Sequence, residues 1–143
     1  MFAIGVAAFA GLWAYSVLSR KTPAQQLAAL QAEVKPKGGI VFETTLNGKP
    51  LVFLVQSCKV YLLDASAKRV ERTQVLRTGF YFGLDVCGDQ SIGAEGEHVN
   101  VFLSTQAIGA GGGNTTGGNY RSKDGVAWEK KTEKGWLPVD QAQ

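Results

Sequence analysis

Two regimes of side-chain patterning divide the chain. Residues 1–18, MFAIGVAAFAGLWAYSVL, hold no charged side chain, and Ser19-Arg20-Lys21 follows at once. From residue 40 onward, apolar positions recur instead in short runs with a period near two. The first run, at about 1.5 Å per residue, spans roughly 27 Å, close to the hydrocarbon thickness of a bilayer. It predicts an uncleaved transmembrane anchor over residues 1–19, with Trp13 and Tyr15 at the interface and Arg20 and Lys21 as the basic stop. A cleavable signal peptide would need a charged n-region that this chain lacks, and a buried core helix would carry a polar face.

Between the two regimes lies TPAQQLAALQAEV. Thr22 in front of Pro23, with Gln25 three residues after the cap, forms a capping-box pattern. Leu27, Leu30 and Val34 fall on one face. The spacing predicts a short amphipathic helix ending before Pro36 and the Gly38-Gly39 pair, within a basic juxtamembrane segment over 20–38. Its stripe would lie on the β domain, on the membrane surface or on a partner helix, the first being the simplest.

Strands then follow in pairs. IVFETTL and PLVFLVQ flank Asn47-Gly48, a strong hairpin signal. KVYLLDA and RVERTQVL flank Ser-Ala-Lys, and GFYFGLDV and HVNVFLSTQ surround a polar connection, CGDQSIGAEGE. YRS and VAWEKK bracket Lys123-Asp124-Gly125, and GWLPV comes last. Roughly seven or eight short strands imply a mainly β domain over 39–143, an antiparallel sandwich, meander or small barrel. No internal repeat is evident, which argues against a solenoid or a multi-blade propeller.

Charge and cysteine content narrow the function. The chain has 143 residues and a formal charge of +3. From Gly38 onward the basic and acidic residues balance, so the excess belongs to Arg20, Lys21, Lys35 and Lys37 against Glu33. Lipid head groups are then a simpler partner than nucleic acid, and no interleaving of aromatic with basic residues marks a nucleic-acid surface. Cys58 and Cys87 are candidates for a disulfide, which would place the domain outside the cytoplasm; two buried thiols are the alternative. Basic residues only on the C-terminal flank of the anchor favour the opposite orientation. We expect a single-pass inner-membrane protein of a bacterial envelope with its β domain in the periplasm.

The search for chemistry yields little. The single histidine, His98, could pair with Cys87, with Asp85 or Asp89 as orienter, unless Cys87 is bridged. Cys58, Cys87 and His98 lack zinc spacing, and Asp85, Asp89, Glu95 and Glu97 lack the alternation of an EF-hand loop. No cofactor, metal or catalytic residue is assigned. Those carboxylates would face Lys68, Arg69, Arg72 and Arg77 across a polarised surface suited to docking. The run GAGGGNTTGG has six glycines in ten positions. Asn114 stands where a dinucleotide fingerprint needs glycine, and no Gly-Lys-Ser/Thr follows for a P-loop. Such a run is either a mobile loop or a backbone that something approaches closely, so Gly111, Gly112, Gly113 and Asn114 join Lys68, Arg69 and Arg72 as interaction candidates. Asn114-Thr115-Thr116 also matches a glycosylation acceptor, relevant in a eukaryotic secretory setting.

Ser122-Lys123-Asp124-Gly125-Val126-Ala127-Trp128 resembles the Asp-box turn of sialidase-like propellers and other β proteins, one residue short between the aspartate and the glycine. The resemblance implies a fold device: an aspartate capping the turn and a tryptophan packed beneath it. The larger plan, an apolar N-terminal helix, Pro23, a further helical stretch and a two-cysteine β domain, resembles type IV pilins and pseudopilins. It departs from them at Gly5, where those families carry glutamate, and at Arg20-Lys21, which interrupts the helix early. The functional expectation is a non-enzymatic, membrane-anchored accessory or assembly subunit of a membrane or envelope complex. A tethered immunity or inhibitor protein is the alternative; a pilin-like subunit and a thiol hydrolase rank below it.

Overall fold

The computed structural model describes residues 21–66, 68–79, 85–108 and 116–142. The expected anchor, with Trp13, Tyr15 and Arg20, lies outside them, as do Gly111, Gly112, Gly113 and Asn114 of the glycine-rich run. Among the described residues no helix is long and apolar enough to cross a membrane. The chain is mainly β: two antiparallel sheets and one short helix.

The helix, α1 (Pro23–Val34), forms where the capping pattern places it. The Thr22 hydroxyl accepts from the Gln25 amide at 3.3 Å, and the Gln25 side chain accepts from the Thr22 amide at 2.9 Å. That reciprocal pair satisfies two of the donors every helix N-terminus leaves unpaired. A 3₁₀ turn over Lys35–Lys37 continues it, and Gly38, at φ 74°, ends it in the left-handed region. Leu27, Leu30 and Val34 bury against Leu54 and Leu63 of the first sheet, with Val41, Val52 and Tyr61 around them. The Gln31 side chain accepts from the Val41 amide at 2.8 Å and fixes the helix on its strand.

The first sheet orders β1 (Ile40–Leu46), β2 (Lys49–Gln56), β3 (Lys59–Asp64) and β4 (Glu71–Arg77) as they occur in the chain. Asn47 and Gly48, at φ 51° and 75°, make the two-residue hairpin turn whose twist matches the strands it joins. The β2–β3 turn is also two residues long. Ser57 and Cys58 take φ 53° and 56° although neither is glycine. Side chains on β2 point alternately to both faces and both are covered, Phe53 and Val55 toward the second sheet and Leu54 toward α1. That explains a run of buried residues where simple alternation would show half of them in water.

The second sheet orders β5 (Asp85–Glu95), β6 (His98–Ala107), β7 (Gly118–Ser122), β8 (Glu129–Thr132) and β9 (Gly135–Pro138), again in chain order. Here the sequence expectation needs two corrections. CGDQSIGAEGE is not a connection: Cys87 to Glu95 belong to β5, which pairs with β6 through a bulge between Cys87 and Gln90, and only Gly96-Glu97 turns. Glycine and polar residues are tolerated there because an edge strand keeps one side in water. VAWEKK is not one strand either, since Val126 to Trp128 belong to the turn and β8 begins at Glu129. Leu46, Phe53, Val55, Val60 and Leu76 of the first sheet meet Val99, Val101, Leu103 and Tyr120 of the second, and Trp128 of its β7–β8 turn, in one core.

Candidate functional site

Four features of the described residues carry chemistry or contact surface. The first is covalent. Cys58 and Cys87 form a disulfide, their Cα atoms 5.5 Å apart, joining the β2–β3 turn of one sheet to β5 of the other. Gln90 reinforces this seam: its side-chain oxygen accepts from the Cys58 amide at 3.1 Å and its amide nitrogen donates to the Gly38 carbonyl at 2.5 Å. Sequence reasoning missed Gln90, which has no local signature in a stretch read as a connection. The bridge also removes the Cys87/His98 pair. Cys87 sits opposite Thr105, seven positions along β6 from His98, roughly 23 Å at strand rise. Asp89, Glu95 and Glu97 are likewise strung along β5 and its turn rather than gathered in one loop, and Glu97 pairs with Lys123 at 3.6 Å. Among the described residues no three His, Cys, Asp or Glu side chains are placed to hold a metal ion.

The second feature is the turn between β7 and β8. Asp124 accepts from the Val126 and Ala127 amides, both at 2.8 Å, and these bonds hold its carboxyl below the ordinary value of 3.8. The Ser122 hydroxyl donates to the Ala127 carbonyl at 2.6 Å and accepts from the Gly125 amide at 2.8 Å. Gly125 has φ 80°, and a β-carbon there would lie 2.8 Å from the Phe53 ring. Trp128 packs edge-on against that ring at 6.3 Å. The aspartate cap and the tryptophan beneath the turn are the device the Asp-box resemblance implies. The turn positions Trp128 and Val126 toward a cleft.

That cleft is the third feature. It has a volume of about 940 Å3 and lies between β4 (Gln74 to Arg77) and the side of the second sheet formed by Tyr120, Trp128, Lys130 and Pro138. Trp128 is 6% exposed, its buried indole N–H has no acceptor among the described residues, and Val126 beside it is 61% exposed. The Tyr120 hydroxyl donates to the Thr116 carbonyl at 3.4 Å, and burial pushes its pKa up. Lys130 lies 5.9 Å over the Tyr120 ring. Thr116 is pinned to β6 by its amide, which donates to the Thr105 hydroxyl at 3.1 Å, and its own hydroxyl donates to the Gly79 carbonyl. Thus β4, the edge of its sheet, forms one wall, and Tyr120, Trp128 and Lys130 form part of the other.

A separate cleft of about 730 Å3 opens between α1 and the β3–β4 connection. The three predicted interaction residues Lys68, Arg69 and Arg72 come together here, and Lys21 joins them. Among the described residues none of them forms an ion pair with Asp89, Glu95 or Glu97. Asp64, next to this connection, accepts from the Ser66 hydroxyl and amide, which lower its pKa. Comparison with protein-family models, curated proteins and solved structures gave no match.

Proposed function

We propose that this chain is a non-enzymatic, membrane-tethered accessory or assembly subunit of an envelope complex. Residues 1–19 anchor it, 20–38 form the juxtamembrane segment, and the domain over 39–143, a two-sheet sandwich, binds a neighbouring protein. The observation that carries the reading is the cleft between β4 and β7–β9. An extended segment of a partner laid along β4 would meet backbone groups that have no strand neighbour on that side among the described residues. Tyr120, Trp128 and Lys130 form the wall across from it. Val126 supplies the exposed apolar contact.

The disulfide supports the periplasmic reading. Bridges of this kind persist outside the cytoplasm, which favours a periplasmic β domain over the orientation suggested by Arg20 and Lys21.

The test is a photoreactive residue in place of Val126 in the full-length chain, with the same residue at Lys131, outside the cleft, as control. One stoichiometric membrane-protein adduct from position 126, identical to a protein that co-purifies with the unmodified chain in mild detergent, is expected. Equal adducts from both positions, or none, would overturn the proposal.

A further inference from the structure

The cleft beside α1 concentrates charge without neutralising it. Lys21, Lys68, Arg69 and Arg72 line it, and Glu33 is its only acidic wall residue among those described. None of the four cations forms an ion pair with a carboxylate among the described residues, whose ion pairs join Arg121 to Glu129 and Lys123 to Glu97. Lys68 and Arg69 at the end of the β3–β4 connection and Arg72 at the start of β4 share a cleft that Glu71 between them does not line, and like charges this close repel unless a counter-charge sits there. Ala29, Leu30, Ala65 and Val70 contribute apolar wall, which weakens water's screening of an anion held there. The positive end of α1 opens at the same place, and no acidic residue in its first turn offsets it.

Position decides what kind of anion. Lys21 is the third residue after Leu18, the end of the uncharged run, so the lip of the cleft lies at most about 11 Å along the chain from that run. We propose that this cleft binds the phosphate of an anionic lipid headgroup, seating the β domain on the membrane surface. The inference rests on residues 1–19 being the anchor. It adds a site, because a tether alone leaves the domain's orientation open. Lys68, Arg69 and Arg72 lie more than forty residues from the anchor in sequence and reach the same surface only through the packing of α1 on the first sheet.

The experiment uses the full chain in nanodiscs of phosphatidylcholine alone and of phosphatidylcholine mixed with phosphatidylglycerol, reading amide exchange over residues 22–33 and 64–72. Slower exchange over both stretches in the anionic discs is expected. Lys68→Glu/Arg69→Glu/Arg72→Glu, all at exposed positions, should abolish the slowing; three cations at an anionic surface change the docked-to-undocked ratio roughly a hundredfold. Lys49→Glu/Lys131→Glu/Lys134→Glu carries the same change in net charge outside the cleft and should retain it. Exchange that is equal in the two discs, or lost equally in both triple variants, overturns the headgroup site while leaving the anchor standing. The same protection in neutral discs on adding inorganic phosphate would make this a site for soluble anions, which also overturns it. Failure of the chain to enter either disc would remove the anchor and this inference together.

Discussion

Removing the disulfide is the perturbation whose cost follows most directly from the structure. Cys58 and Cys87 are separated by 29 residues, and closing a loop of that length in the unfolded chain removes about 3.6 kcal/mol of conformational entropy at 25 °C. Cys58 is fully buried, so replacing both cysteines by alanine adds a cavity cost on the order of 1 kcal/mol. Against a total stability of about 5–15 kcal/mol that loss is large. We expect urea unfolding of Cys58→Ala/Cys87→Ala, followed by tryptophan fluorescence of the full chain in detergent, to shift its midpoint down by about 2 M at a slope of roughly 2 kcal/mol/M. Chemical reduction of the unmodified chain should give most of that shift, because it opens the loop and leaves both sulfurs in place. Gln90→Ala leaves the Cys58 amide without its partner and should cost about 1–3 kcal/mol, less than additively with the cysteine pair because both hold one turn. A midpoint change below about 0.5 M on reduction would show that the β2–β3 turn and β5 hold together without the bridge, and would refute the reasoning.

Two further expectations concern the β7–β8 turn. Gly125→Ala must place a methyl against the buried Phe53 ring at φ 80°, and should cost about 1–3 kcal/mol in urea unfolding, whereas Gly93→Ala on β5, with open space at that position, should be neutral or slightly stabilising. Asp124→Ala should cost about 1–2 kcal/mol at neutral pH, at the lower end because the side chain is exposed. Since the folded carboxyl lies below its unfolded value near 3.8, its contribution is fully present above that pH and disappears as pH falls through the lowered folded value. The gap between Asp124→Asn and the unmodified chain should therefore be widest at neutral pH and close in acid, and a gap that widens below pH 3.8 would contradict the bonding described.

Local chemistry was legible in the sequence wherever it was also decisive. Thr22, Pro23 and Gln25 mark the start of α1 because capping depends on neighbours within one turn, and Asn47-Gly48 marks its hairpin because both residues must adopt positive φ. The Ser57-Cys58 turn has the same backbone but no such signature. Two L-residues are held in the left-handed region by contacts from elsewhere, the disulfide and the Gln90 bond, which no local window contains. For the same reason β5 was missed: Gly88 and Gly93 suggest bends, as Gly96 does, but pairing along almost the whole of β6 overrides that preference at the first two and only Gly96 turns. Of the interaction candidates, Lys68, Arg69 and Arg72 do share a surface. The second cleft was not anticipated at all, because Gln74, Trp128 and Pro138 meet only once both sheets have formed.

The same tertiary contacts decide which surfaces remain for binding. The bridge and Gln90 fasten β5 to the β2–β3 turn and to the entry of β1, while α1 covers the outer face of the first sheet. Two of the recesses left among the described residues, one beside β4 and one beside the start of α1, differ in chemistry. The first offers an edge strand and an exposed valine, groups suited to an extended polypeptide; the second offers four cations against one carboxylate, suited to phosphate. Arg72 lies on β4 at the wall of the basic cleft, and Gln74 on the same strand lines the other. Seating the basic cleft on lipid would thus set the height and direction of β4 above the membrane. A partner strand arriving at β4 would meet an edge already oriented, and the entropy of orienting a loosely tethered domain would not have to be overcome on binding. Under this arrangement, partner cross-linking from position 126 should weaken in the Lys68→Glu/Arg69→Glu/Arg72→Glu variant even though none of the three residues lines the cleft in which position 126 sits.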